Sequence, residues 1–366
     1  MLLLFLLIGI ARVDLQANTT LPGSTEFTKT IKKNYKMAAD GEVTLSNKYG
    51  KINLKTWDRN EVSIEVTITA KSRSESAANE IFKRIKIDFA DGSDYVKAET
   101  TIEAQKSSWW GNESKGDFRI DYEVSMPNAA SLDLSNKYGD AEIGAIGGDG
   151  IFSIKYGNFN VQSVGKDTKI DLGYGNGTIG KTNNVEVNIK YSKIKLKEVA
   201  NVNIESKFSK VYIDKADKIK SESRYDTYEL GELKELSNQG KYDHFEIERI
   251  DQVTSYSKYT DFKIGELYID GEFELSYGGL TIESLKKGFH AISLDCSYTD
   301  CKIYLDDNTD FQLDAVTEYA SINYPGDTEV TIEKNKNNNH EVKGHRGGSG
   351  GGMIKARLKY GGLKLK

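Results

Sequence analysis

The sequence predicts an all-β fold: a β-solenoid (β-helix-like) of coils about 17–18 residues long, with a β-rich N-terminal head containing one helix. Three observations predict it. Runs such as "VEVNIKYSKIKLKEV" alternate apolar and polar residues with period two, the pattern of a half-buried strand. An aromatic residue recurs at near-constant spacing, at Tyr138, Tyr156, Tyr174, Tyr191, Phe208, Tyr225, Tyr242, Tyr259, Tyr277, Tyr298 and Tyr319. The hexapeptide "LSNKYG" stands at 45–50 and again, unchanged, at 134–139. Fixed-period self-similarity is the mark of a repeat architecture, because one short unit cannot bury a face alone and must stack on its neighbours.

The elements follow in chain order. Residues 2–11 are an apolar run too short to span a bilayer. Small residues end it, so residues 1–17 are expected to be a signal peptide. Residues 25–130 are expected to form the head. Its helix is placed at 74–87, where Ala78, Ile81 and Ile85 share one helical face and Ser74 or Ser76 can cap the start. Residues 131–333 are the repeats. Each coil is expected as a strand, a sharp corner at the aromatic, a second strand and a looser turn. The residue after the aromatic is nearly always a turn former. Tyr49 and Tyr360 carry the same local motif outside the regular series. The Gly- and Asn-rich stretch 334–352 is expected as a flexible loop. The last segment, 353–366, is expected to close the sheet edge as a capping strand.

Composition narrows the function classes. Charged residues make up 29% of 366 and the formal charge is −5, too small to argue for nucleic acid. No phosphate loop, zinc motif, nucleophile elbow or triad order is present, so no catalytic residue, metal or cofactor is assigned. The aromatic column shares the parity of inward positions such as Val187 and Ile189. It is expected to stack as a ladder in the coil wall, the alternative being an exposed track for glycans. Lys155, Lys190, Lys207, Arg224, Lys241 and Lys258 precede the aromatics and should point outward, one per coil. That column is either a solvated face, with Glu205 and Glu222 interleaved, or a linear site for an anionic polymer. Glu229 and Glu246 occupy one outer position in successive coils, the residue type glycosidases pair. Nothing else in the sequence converges on them. Cys296 and Cys301 flank one corner and are either a local disulfide or two buried thiols. The four histidines form no ligand pattern. Trp109 and Trp110, in the polar stretch "KSSWWGNESKG", are either a contact point or folded back on the core.

The segments "GEVTLSNKYGKINLKTWDRNEVSIEVTITAKS", "SAANEIFKRI" and "DYEVSMPNAASLDLSNKYGDAEI", followed by a repetitive tail, resemble the DUF4097 family of exported bacterial proteins. They are also similar to adhesin-like β-helix domains of Bacteroidetes-type bacteria. The resemblance rests on patterning and brings no catalytic residue with it. It implies an exported β-solenoid of the periplasm, outer envelope or cell surface. The expected function is non-enzymatic: an adhesin-like, envelope-scaffolding or surface-binding role, with envelope glycans or proteins as partners. The alternatives are a polysaccharide-degrading β-helix enzyme and an envelope-stress component that recognises a protein.

Overall fold

A computed structural model describes residues 17–19, 24–103, 117–348 and 350–366. The expected signal segment, save its last residue, and Trp109 and Trp110 lie outside the described residues. The chain is a β-solenoid that divides into two compact units, residues 1–182 and 183–366.

In the first unit the repeated hexapeptide explains itself. Glu42–Lys48 and Ser131–Lys137 pair in parallel, with Leu45 opposite Leu134, Asn47 opposite Asn136 and Lys48 opposite Lys137. The leucines are fully buried. The asparagines are buried too, and their amides serve corner carbonyls: Asn47 Nδ2 donates to Ile120 O at 2.8 Å and Asn136 Nδ2 to Gly50 O at 3.1 Å. Tyr49 and Tyr138 then turn the chain with φ of 62° each. The following glycine is required by space, since a Cβ on Gly139 would lie 1.8 Å from Gly50 O. Two ladders run from this corner. Before it, Tyr95–Ile102, Glu42–Lys48, Ser131–Lys137, Gly150–Lys155 and Thr168–Gly173 stack in parallel. After it, Asp117–Pro127, Ile52–Trp57, Ala141–Ile146 and Phe159–Val164 do the same.

The expected head is therefore built on solenoid coils. Residues 42–57 sit as a coil between strands 95–127 and the coil at 131–146, out of sequence order. Antiparallel strands finish this end. Glu61–Ser72 pairs with Asp117–Pro127 and with Thr25–Lys36, and Ile85–Asp91 pairs with Tyr95–Ile102. The one helix, α1, spans Glu75–Arg84 rather than 74–87. Ser74 caps it by accepting from Ala77 N–H at 3.2 Å, and Ala78, Ile81 and Phe82 are buried. Residues 85–87 are already strand, because Ile85 enters the pairing with Ile102.

In the second unit each regular coil is one continuous strand: Lys193–Lys207, Lys210–Arg224, Thr227–Lys241, His244–Lys258 and Asp261–Ser276. Parallel pairing joins each to the next. Pairing skips Asp214 opposite Gly231 and Asp217 opposite Lys234, so the chain bends there without leaving the ladder. Inward positions such as Val211, Ile213, Ala216 and Ile219 form the core.

The last coils differ from expectation in two ways. The segment expected as a loop at 334–352 contains most of a β-hairpin, Glu329–Lys336 with Asn339–Arg346, whose second strand pairs antiparallel with Phe311–Glu318. Asn337 and Asn338, both at positive φ, make its turn. Asn tolerates that conformation better than most residues, which is why an Asn-rich stretch can end in a hairpin. The final segment does not close an edge. Gly352–Lys359 pairs with Ala291–Ser297 on one side and Phe311–Glu318 on the other, so it is inserted between two coils that precede it in sequence.

Candidate functional site

The aromatic column is a ladder of stacked rings. In the first unit Tyr49, Tyr138, Tyr156 and Tyr174 stack at 5.1, 5.0 and 4.9 Å. In the second, successive rings from Tyr191 to Tyr298 lie 4.7 to 5.0 Å apart. Tyr360 continues the column beyond Tyr298 at 4.7 Å, and Tyr319 follows Tyr360 at 5.0 Å. Tyr49 and Tyr360, outside the spacing series, are thus members of the two ladders.

Parity mispredicted where the rings point. Each aromatic has φ between 52° and 63°, and that left-handed residue breaks the strand alternation. The residue before it and the aromatic itself both face outward, and at the serine, threonine and aspartate corners the residue after it is buried. Tyr225 is 41% exposed, whereas Asp226 is 3% exposed. Because each inner ring is covered on both faces by its neighbours, the ladder shows solvent its edges and hydroxyls. A sugar stacks on a ring face, so the interior of such a ladder offers a glycan no platform.

Two corner chemistries hold the turns together. In the first unit the corners are glycine and the next residue forms the axial link: Asn158 N–H donates to Asp140 Oδ1 at 2.9 Å, and Asn176 N–H to Asn158 Oδ1 at 3.0 Å. In the coils from Tyr191 to Tyr259 the residue after the aromatic carries the link itself. Ser209 N–H donates to Asp226 Oδ1 at 2.6 Å and Asp226 N–H to Asp243 Oδ1 at 2.9 Å. Small polar residues fill the coil interior behind these corners. Ser206 donates to Asp226 Oδ2, Ser223 to Asp243 Oδ2, and Asn238 bridges Ser221, Ser223 and Ser257. Gly240 is required there, since a Cβ would lie 2.3 Å from Asp243 Oδ2. Burial raises the Asp226 carboxyl and pushes Asp243 up to about 6, while their hydrogen bonds oppose the shift.

Lys190, Lys207, Arg224, Lys241 and Lys258 stand on the outer face beside this corner, Lys207, Arg224, Lys241 and Lys258 in register across consecutive strands. None of the five has a carboxylate within 4.0 Å among the described residues. Glu205 and Glu222 share the face without reaching ion-pair distance, so the expected interleaving does not neutralise the column. Lys155, in the first unit, is paired with Asp171 at 3.5 Å. Arg224 lies over the Tyr225 ring at 5.4 Å. A shallow groove of about 440 Å³ runs along Lys207, Arg224 and Lys241, with Glu205, Glu222, Gln239 and Tyr256 also in its lining.

A second groove, of about 690 Å³, lies on another face of the same unit. Asp214, Glu229, Glu246, Glu248 and Glu283 line it, together with Lys195, Lys263, Gly231 and Gly265. Glu229 lies opposite Glu246 in adjacent strands. Its acids have partners: Lys195 with Asp214 at 3.2 Å, Lys263 with Glu283 at 3.6 Å and His244 with Glu246 at 3.7 Å. The sequence marked the Glu229 and Glu246 column but not the groove, because the groove forms only where residues of several coils come together.

Cys296 and Cys301 are both buried, with their Sγ atoms 3.8 Å apart. The four histidines each face a single carboxylate, and among the described residues no cluster of three metal-ligand types exists. No helix among the described residues is long and apolar enough to cross a membrane.

No family model matches the chain, and no curated protein matches it. Among solved structures it is similar to a "putative adhesin" from Bacteroides fragilis NCTC 9343, at 12% identity and TM-score 0.35, covering 68% of this chain and 97% of that one. A "putative adhesin" from Parabacteroides distasonis ATCC 8503 gives 12% identity and TM-score 0.36 over 68% and 96%. A "putative cell adhesion protein" from Clostridium sporogenes ATCC 15579 gives 11% identity and TM-score 0.17 over 92% and 99%.

Proposed function

We propose that this protein is a non-enzymatic, exported β-solenoid with an adhesin-like or envelope-scaffolding role, and that its basic column binds a linear anionic polymer. One observation carries the reading: five cations repeat at one-coil intervals, and none of them has a carboxylate within 4.0 Å among the described residues. Neighbours at strand spacing, about 4.8 Å, repel by about 1 kcal/mol in water. A flexible acidic chain laid along the column relieves this, and an extended polyuronate or sulfated glycan carries charges at a comparable repeat. Such binding releases counterions and weakens with salt. The test is binding of the purified protein to a polyuronate, a sulfated glycan and a neutral glucan across a salt series. Binding restricted to the anionic polymers, lost with salt and lost in K207E/K241E/K258E, supports the reading. Equal binding of all three, or a variant that binds like the parent, overturns it.

The acidic groove favours a second reading, cleavage of a polysaccharide by acids on adjacent coils. A general acid needs a carboxyl shielded from water, and Glu229 and Glu246 face outward and are exposed. Chain shortening of a polysaccharide by the protein, abolished in E229Q and E246Q, would establish this reading in place of the first.

A further inference from the structure

The sequence contains two cysteines in 366 residues, and both fall in one coil. Cys296 lies near the end of Ala291–Ser297 and Cys301 near the start of Asp300–Leu305, on either side of the Tyr298 corner. Both side chains point into the coil, at 1% and 0% exposure, and their Sγ atoms lie 3.8 Å apart. In the coil below, the matching inward positions are Leu275 and Leu280; in the coil above, they are Leu358 and Leu363. A leucine pair is thus replaced, in this coil alone, by two thiols in contact.

We propose that Cys296 and Cys301 form a disulfide across this corner, clamping the coil onto which the inserted segment 352–365 docks. The place matters because chain order breaks there. Above the coil lies not the next coil in sequence but residues 352–365, held by Tyr298 N–H to Lys359 O at 2.8 Å and Cys301 N–H to Gly362 O at 2.9 Å. That segment reaches its slot only after its neighbours on both sides are made, so a pre-formed corner is a platform for it.

The chemistry is thiol–disulfide exchange with a small or protein disulfide, oxidised glutathione being the simplest. One cysteine thiolate attacks the oxidant, forming a mixed disulfide and expelling one thiol. The second cysteine attacks that mixed disulfide, closing the Cys296–Cys301 bond and expelling the other thiol. Two protons leave the cysteines and two electrons reduce the oxidant to two thiols. Exchange proceeds through thiolates on accessible sulfur, so the bond forms before the coil closes. Once the coil closes, both sulfurs are buried, at 1% and 0% exposure, which keeps outside thiolates from the bond.

The experiment refolds the reduced, denatured full chain in a buffer of reduced and oxidised glutathione, then alkylates it in denaturant and weighs it. Expected is a mass two hydrogens below the dithiol with no alkyl group added, and a bond that a mild reductant breaks only after denaturation. Two alkylated thiols, or glutathione adducts, in chains that have regained their strand spectrum overturn the proposal. C296A/C301A, refolded alongside, shows whether the fold forms without the bond. For the clamp, amide exchange at 352–365 is compared in bonded and reduced chains. Closing a loop this short shifts an equilibrium by on the order of tenfold, so exchange should be faster in the reduced chain by a factor of that order. Equal rates overturn the clamp.

Discussion

At the corner, the aromatic residue has two opposing tasks. Tyr225 has φ of 59°, a conformation that costs a residue with a Cβ about 1 kcal/mol. It recovers this by stacking at 4.9 Å on Phe208 and 4.7 Å on Tyr242, each stack being worth on the order of 1 kcal/mol. Tyr225→Ala keeps the strained backbone and loses both stacks, whereas Tyr225→Gly loses the stacks and sheds the strain. The glycine variant should therefore be the more stable of the two by about 1 kcal/mol in urea unfolding. An alanine variant as stable as the glycine one would show that the left-handed corner is not strained. Behind the corner, Asp243 sets a pH dependence. Its carboxyl rises from 3.8 to about 6 on folding, on the order of 3 kcal/mol against ionisation. The neutral form is the one the fold favours. Its stabilisation is complete below about pH 4 and is lost as pH rises through about 6; Asp226, raised for the same reason, adds to the trend. Unfolding midpoints measured across that window should fall with rising pH, and less steeply in D243N. Parallel profiles for the two proteins would remove Asp243 as the cause.

One scale up, the chain uses two kinds of corner. Glycine corners leave no space for a side chain, so the axial link passes to the next residue, as in Asp140 and Asn158. Serine, threonine and aspartate corners make the link themselves and need small polar residues behind them, as Ser206 and Ser223 are. The two are not interchangeable. Gly139→Ala puts a methyl group into the carbonyl of Gly50 and should destabilise the first unit by roughly 3 kcal/mol or more, the range for forced overpacking and backbone shift. A thermal midpoint within about 2 °C of the parent's would contradict this. Much of it was legible: the period placed the aromatics, and the turn-forming residue after each marked the corner. The direction of the ring was not, because alternation assumes extended backbone throughout and one left-handed residue inverts it.

Over the chain, each unit contains a coil out of sequence order: 42–57 between 95–127 and 131–146, and 352–365 between 291–305 and 311–323. Stacked repeats are stabilised by nearest neighbours, so removal of an inserted coil should act locally. Deleting 352–366 is expected to abolish amide protection in 311–346 and to leave 193–258 protected, as read by hydrogen exchange. Protection retained in 311–346 would mean that those strands do not depend on the insert. The antiparallel strands at these coils, Glu61–Ser72 on Asp117–Pro127 and Asn339–Arg346 on Phe311–Glu318, occupy edges that would otherwise be open to other chains.

The period of the aromatics, the alternation around them and the small residues that follow them were enough to specify a β-solenoid and its corner, because those properties are local and each copy repeats them. Which coil lies on which was decided only in three dimensions. LSNKYG at 45–50 and LKYGG near the other end read as copies outside the series, and both proved to be rungs of a ladder. A strand's inward and outward pattern fixes which face it buries but not which neighbour it pairs with, and any coil of the right length satisfies the ladder. The same limit hid the acidic groove, which depends on where side chains separated in sequence meet.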